Sequence, residues 1–401
     1  MIQGKPTLVV DFGNSSTKCT VLFGKDSTGR YRERRFELSN VFSFIEEGYE
    51  VSSDYSDATS TILNVNSHVN GMSVVGNFCN GELQERERAL STIKPSAFDK
   101  KYNLEATVLS LRMAFLYAYK AVMNMQRVSD VSQLDLTWTV VTLLPPGDID
   151  TGREAMTNLI KEITYVDAVF PKMRMSIKID NVAILPEGFC AYAAVVYDKG
   201  QIFRMGYEYL KDETIMIFDI GAGTTDCMII RKNKLIQDSK HTVEQGGNNV
   251  HNLVRKELRM RGIDLDEQSI IEGVIKGKVR DGAKDISIVD IVNQAKRTVA
   301  QKITSDFQDY LSTVDIRMRS IGYVLVCGGG SMSDVSCPDI VPLSASIIEL
   351  LKKLSPNMEL IELPKVPVTT TDDTGNSQTK NVELSARMLN LVGASILAES
   401  M

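Results

Sequence analysis

Histidine is scarce in this sequence. His68, His241 and His251 are all it has in 401 residues, too few for a histidine-built metal centre. Paired-cysteine spacing is missing too. Cys19, Cys79, Cys190, Cys227, Cys327 and Cys337 form no CxxC, and several sit in apolar runs. Buried reduced thiols are therefore expected, rather than a disulfide frame or a zinc site. Positive charge is not in surplus: 45 Lys and Arg stand against 51 Asp and Glu, a net of −6. That argues against direct nucleic-acid binding and against attraction to an anionic membrane. No apolar run suits a bilayer, because the longest, from about Val108 to Met125, is interrupted by Arg112 and Lys120. No basic start followed by an apolar core and a cleavage site is present, so a cytoplasmic protein is expected.

What is present is an ordinary globular balance, 43% hydrophobic and 24% charged, at a length that suggests two or three domains. Leu8-Val9-Val10 reads as a strand, Asp11 to Ser16 as a turn, and Thr17 to Phe23 as the returning strand, with a third strand at Arg34 to Leu38. Residues 39–103 show weak periodicity and many small polar residues, which predicts an inserted subdomain with loops. Leu104, Val108, Leu111, Phe115, Tyr119 and Val122 recur at helical spacing and predict a helix. The strand Thr137 to Leu144 stops at Pro145-Pro146-Gly147. A helix at Thr151 to Ile163, a strand at Val182 to Leu185 and a helix opening at Pro186-Glu187-Gly188 follow.

The pattern then restarts. Ile215 to Phe218 is an apolar strand, Asp219 to Asp226 a turn, and Cys227 to Ile230 the return. A helix follows Gln245-Gly246-Gly247-Asn248-Asn249, and residues 256–311 read as a charged helical insertion. A strand at Tyr323 to Val326 runs into Gly328-Gly329-Gly330. Thr369 to Lys380 reads as a polar surface loop, and Val382 to Ala398 as a closing helix. Asp11 and Asp219 lie about half the chain apart, a distance that indicates a duplicated domain rather than a solenoid of ~20–50-residue repeats. Hairpins followed by alternating strands and helices predict two α/β domains with mixed sheets.

An Asp-x-Gly turn between strands exposes backbone N–H groups, and small neighbours let a phosphate approach them. The carboxylate can hold a hydrated Mg²⁺ that neutralises phosphate oxygens, and Lys18 can add positive charge beside them. One such turn is usually only a hairpin. Two in corresponding places, with a third glycine cluster at Gly328 to Gly330 after a buried strand, point to one nucleotide clasped from both halves. Gly273, Gly277 and Lys278 imitate a P-loop, but the spacing is one residue short and Val279 stands where Ser or Thr must bind magnesium. Glu187 alone is also what a helix start favours through its dipole.

The series DFGNSSTK, LPEG, DIGAGTTD, QGGNN and VCGGGS resembles the actin, heat-shock ATPase and sugar-kinase superfamily. Within it, LLPPG at a strand end and YVLVCGGG after a long helical run most resemble the ParM-like plasmid-segregation actins of bacteria. The resemblance implies an α/β fold of duplicated actin-like, ribonuclease H-like domains with mixed sheets flanking a nucleotide cleft, each with an inserted subdomain. The expected first core is 1–30, 104–195 and 382–401, with an insertion at 31–103. The second core is 196–255 and 312–381, with a helical insertion at 256–311.

The resemblance also implies roles. Asp11 and Asp219 would hold Mg²⁺ through water. Gly13, Asn14, Ser15, Ser16, Thr17 and Lys18 would wrap the terminal phosphates of ATP or GTP, as would Gly221, Ala222, Gly223, Thr224 and Thr225. Glu187 would position the attacking water, with Asp219 assisting. Gly246 and Gly247 would lie by the ribose, and Gly328, Gly329, Gly330 and Ser331 by the base. Lys296 and Arg297 match an adenosine-contacting helix of the heat-shock chaperones, although such residues are commonly plain surface charges. The implied function is an NTPase that polymerises into dynamic filaments and moves plasmid DNA through an adaptor bound at a centromere, without touching DNA or membrane itself. A monomeric chaperone-type ATPase and a metabolite kinase are the alternatives. The first lacks a following substrate domain here, and the second lacks a catalytic base beyond Glu187.

Overall fold

A computed structural model describes residues 2–13, 16–27, 29–40, 42–45, 61–69, 72–80, 92–93, 100–103, 105–170, 172–331, 336–371 and 377–401. The chain forms two compact units. One comprises Met1–Glu187, Lys199–Gln201 and Ala394–Met401, the other Gly188–Asp198 and Ile202–Gly393.

The first unit is built on the strands β1 (Ile2–Gly4), β2 (Thr7–Phe12), β3 (Ser16–Lys25) and β4 (Tyr31–Ser39). A second sheet draws on β5 (Phe42–Ile45), β6 (Thr61–Val69), β7 (Met72–Asn80) and β8 (Thr92–Ile93). The helix α1 (Glu105–Gln126) follows, then β9 (Leu134–Leu144), the helix α2 (Ile149–Lys161), β10 (Tyr165–Phe170), β11 (Met173–Ser176) and β12 (Lys178–Pro186). β9 pairs in parallel with β1, β2 and β12, while β2, β3 and β4 run antiparallel in turn. β2 and most of β3 are buried without alternation, as strands covered on both faces must be. Trp138, Phe115 and Tyr119 meet in the core between α1 and this sheet.

The second unit opens with the helix α3 (Phe189–Val196) and the short hairpin β13 (Tyr197–Asp198) and β14 (Ile202–Phe203). Its main sheet uses β15 (Thr214–Ile220), β16 (Thr225–Arg231), β17 (Lys234–Leu235) and β18 (His241–Val243). The helices α4 (Gly247–Met260) and α5 (Glu267–Lys276) lead to the hairpin β19 (Lys278–Asp281) and β20 (Lys284–Ser287), then to α6 (Val289–Thr313). β21 (Tyr323–Cys327), α7 (Leu343–Leu354), β22 (Glu359–Leu360), β23 (Lys365–Thr371), β24 (Ser377–Glu383) and the first half of α8 (Leu389–Ala398), up to Gly393, complete it. The order is β17-β16-β15-β21-β22, with β15, β21 and β22 parallel and β16 antiparallel to β15. The first sheet repeats this scheme: a hairpin whose leading strand lies parallel to its next neighbour. That duplication matches the expectation of two α/β domains.

Several boundaries differ from the sequence expectation. β4 is the edge of the main sheet rather than part of an insertion, because it completes the ladder of β3. The segment expected to be rich in loops supplies β5 to β8, which join β10 and β11 in a six-stranded antiparallel sheet. Only part of 256–311 stands apart, since Val292, Val299, Ile303 and Phe307 of α6 are core residues of the second unit. Thr369 to Lys380 falls largely in a β23–β24 hairpin, with residues 372–376 outside the described ones. The closing helix starts at Leu389, because Val382 pairs with Val366 in that hairpin instead.

Candidate functional site

In the first unit, Asp11 sits near the carboxyl end of β2, in register with Lys18 on β3. Lys18 Nζ donates to Asp11 Oδ2 at 3.0 Å, and both side chains are buried. The expected turn from Asp11 to Ser16 is tighter than drawn from sequence, because Asp11 and Phe12 still pair with β3. Gly13 N–H closes it on the Ser16 carbonyl at 3.0 Å; Asn14 and Ser15 lie outside the described residues. Thr17 is fully buried, and its hydroxyl donates to Asn40 Oδ1 at 2.6 Å. Asn40 also receives the Ser110 hydroxyl at 2.9 Å and donates its amide to the Gly13 carbonyl. The hydroxyl of Thr17 thus braces the loop through Asn40, a residue the sequence reading missed because nothing local marks it.

Glu187 ends the parallel pair β9–β12, its N–H bonded to the Leu144 carbonyl at 2.9 Å. Its carboxylate forms an ion pair with Lys101, just before α1, and is 7% exposed. Lys101 was also missed. A short cationic turn reads as solvent charge until the fold sets it on a carboxylate. The helix after LPEG begins at Phe189, so Glu187 precedes α3 rather than opening it.

The second unit repeats the hairpin register. Asp219 faces Asp226 as Asp11 faces Lys18, so the two hairpins match in geometry and differ in charge. Gly221 N–H closes the turn on the Thr224 carbonyl at 2.8 Å. Gly247 N–H then donates to the Gly221 carbonyl at 3.0 Å, and Asn248 N–H to the Ala222 carbonyl at 2.7 Å. Thr225, buried, donates its hydroxyl to the Gln245 carbonyl at 2.7 Å. The 328–331 turn closes on the same place. A Cβ at Gly330 would stand 2.0 Å from the Gly221 carbonyl oxygen, and one at Gly246 would stand 2.7 Å from it. These glycines are needed because three loops lie backbone against backbone. Ser331 is buried, and its hydroxyl donates to the Gly328 carbonyl at 2.8 Å.

Lys296 of α6 is fully buried, and its Nζ has no hydrogen-bond partner. Burial pushes its pKa down to about 8. His251 of α4 is held below its usual range by its own partial burial, with the positive charges of Arg255 and Lys296 acting against Glu267. A buried ammonium without an acceptor is costly unless a ligand supplies one, so this atom fits an oxygen- or nitrogen-rich guest. Arg297 is exposed, a charge on a solvated helix face. His241 stacks on Tyr310 and pairs with Asp306, away from the glycine loops' hydrogen bonds. Gly277 caps α5 with φ +72°, which removes the P-loop look-alike from consideration.

Among the described residues, no group of three or more His, Cys, Asp or Glu stands close enough to hold a metal ion directly. None of their helices is long and apolar enough to cross a membrane. Of the described cysteines, Cys19, Cys190, Cys227 and Cys327 are buried and none is bonded to another.

Residues 217–333, which carry β15, the glycine loops, α4 and α6, match the family model for the C-terminal part of the archaeal actin homologue MreB-like proteins. Solved structures match over the whole chain. The actin-like protein Alp7A aligns with a TM-score of 0.67 at 17% identity, covering 100% of this chain and 97% of that one. A ParM from a 15-stranded filament of Clostridium botulinum aligns at 0.62 and 16%, covering 99% of each. The fold is actin-like. ParM of Bacillus thuringiensis with ATP, at 0.58, 15% identity and 99% of each chain, agrees. No curated protein matches by sequence. In this actin-like frame, Asp11, Glu187, Asp219 and Gly328 all lie at the carboxyl ends of strands that run parallel within their own sheets, where open α/β sheets receive ligands.

Proposed function

We propose that the protein is an actin-like NTPase that binds Mg-ATP or Mg-GTP and assembles into filaments. The observation that supports this most is the meeting of three loops from distant parts of the chain, around 221, 246 and 330, in the unit that buries Lys296 without an acceptor. The junction sets the Asp219 carboxylate beside Gly328, and the same unit carries a buried cation in Lys296. These are the groups that a magnesium-bound nucleotide requires.

In this reading Asp11 and Asp219 hold Mg²⁺ through water, and the two hairpins, including Gly13 to Lys18 and Gly221 to Thr225, surround the phosphates. Magnesium, when bound, neutralises phosphate oxygens and orients them. Thr17 and Thr225 brace the loops through their hydroxyls. Gly246 and Gly247 adjoin the ribose, and Gly328 to Ser331 with Lys296 the base. Glu187, its carboxylate aimed by the ion pair with Lys101, accepts a hydrogen bond from the attacking water.

The likeness to a ParM filament structure supports self-assembly as the output. The acidic balance of the chain supports engagement of plasmid DNA through a basic, centromere-bound adaptor rather than directly. Light scattering of the purified protein tests the core of the proposal. Scattering should rise on adding ATP or GTP with magnesium and fall as the nucleotide is consumed. No change with either nucleotide, together with no nucleotide binding, would end it.

A further inference from the structure

Asn390 lies in the first turn of α8, only 8% exposed, with both ends of its amide engaged. Gly188 N–H donates to its Oδ1 at 2.9 Å, and its Nδ2 donates to Asp219 Oδ2 at 2.5 Å. The polarity is forced. A backbone N–H can only donate, so Oδ1 must face Gly188, which leaves the NH₂ group for the carboxylate. Gly188 stands just before α3, where an N–H has no acceptor inside the helix and must find one elsewhere.

We propose that Asn390 is a positioning residue for Asp219, an amide clamp anchored on the Gly188 N–H that fixes the direction in which the carboxylate faces. The other oxygen is confined too. It lies against Gly328, where a Cβ would stand 2.5 Å from Asp219 Oδ1, so a side chain there would push the carboxylate aside. An amide directs a carboxylate without bringing positive charge of its own, and so does not compete with a cation for it. Asp11 is handled differently, with Lys18 as the donor to its Oδ2. Asn390 thus prepares Asp219 to receive a hydrated divalent cation, and its loss should be felt through the cation before the nucleotide.

This inference rests on reading Asp219 as a metal-side carboxylate. The test measures affinity for a fluorescent ATP analogue with excess Mg²⁺ and with EDTA, in the full-length wild type, Asn390→Ala, Asp219→Asn and the double variant. Wild type should bind much more tightly with Mg²⁺. Asn390→Ala should reduce that Mg²⁺ advantage by ~10-fold, the size of one hydrogen bond to a charged group, with EDTA affinity changed less than ~2-fold. In the Asp219→Asn background the same change should add little, because the two act through one interaction. The near-isosteric Asn390→Leu serves if the alanine variant melts early, and should lose the Mg²⁺ advantage equally. A wild-type Mg²⁺ advantage that both Asn390 variants retain would overturn the inference alone. So would an equal loss of affinity with Mg²⁺ and with EDTA, which marks a purely structural residue. A wild type that binds no nucleotide would instead overturn the reading of the site, and the inference would fall with it.

Discussion

At the scale of single residues, Glu187 and Lys101 form the sharpest test of chemistry. Phosphoryl transfer to water depends on positioning and on charge stabilisation, and in the proposed site only Glu187 serves the first without serving nucleotide binding. Glu187→Ala should therefore bind nucleotide and pellet with it as wild type does, yet release phosphate ~10²–10⁴-fold more slowly. A phosphate-release assay alongside sedimentation measures both, and release at the wild-type rate would remove Glu187 from the mechanism. Lys296 makes a second test. Its pKa is about 8 folded against an ordinary 10.5, so the unfolded chain holds the extra proton between those values. Stability of the nucleotide-free protein should therefore rise as pH climbs from about 8 toward 10.5, with the full cost present below 8. Lys296→Met should flatten that slope and raise the melting temperature at pH 7, a gain on the order of 2–3 kcal/mol. It should also weaken nucleotide binding. Thermal melts across pH, with and without ATP, read all three effects.

At the scale of elements, the two hairpins show how a shared backbone can carry different side chains. β2–β3 and β15–β16 place an aspartate at the same register, yet the residue opposite is Lys18 in one and Asp226 in the other. Asp226 instead receives the Thr242 hydroxyl from β18 at 2.6 Å. The turn around Gly330 is the element most sensitive to added bulk. A Gly330→Ala change would set a methyl into the Gly221 carbonyl and part the two loops. We expect it to weaken nucleotide affinity by at least ~10-fold, the scale of a loop displaced from its ligand contacts. The core of the unit, formed by other residues, should melt within a few degrees of wild type. Fluorescence titration and a thermal melt distinguish this from a general loss of folding.

At the scale of the whole molecule, the proposed output is assembly. Sedimentation with Mg-ATP or Mg-GTP should pellet the protein, and the diphosphate should pellet much less. Equal pelleting, or none with either, would count against the filament claim. The purified chain alone should not retain plasmid DNA at ~150 mM salt, where acidic proteins gain nothing from counterion release. Tight retention in a filter-binding assay would reverse the indirect arrangement.

What the sequence by itself determined is local. The Asp-x-Gly hairpins, their repetition at half the chain, the stop at Pro145 and the glycine clusters at 246 and 328 all follow from neighbours within a few residues, where φ restrictions and strand register are decided. Tertiary structure alone decided the partners. Asn40, Lys101 and Asn390 carry no local mark, and each became part of a site by meeting a residue 27 to 171 positions away, as Asn390 meets Asp219. The strands of residues 42–93 were illegible for a different reason. β6 and β7 pair as a hairpin, β5 joins β7 and β8, and β6 also pairs with β10, but their many small polar residues leave little alternation to read. Packing also reversed the character of Lys296, which reads as a surface charge beside Arg297 and becomes a buried cation only when α6 closes over the core.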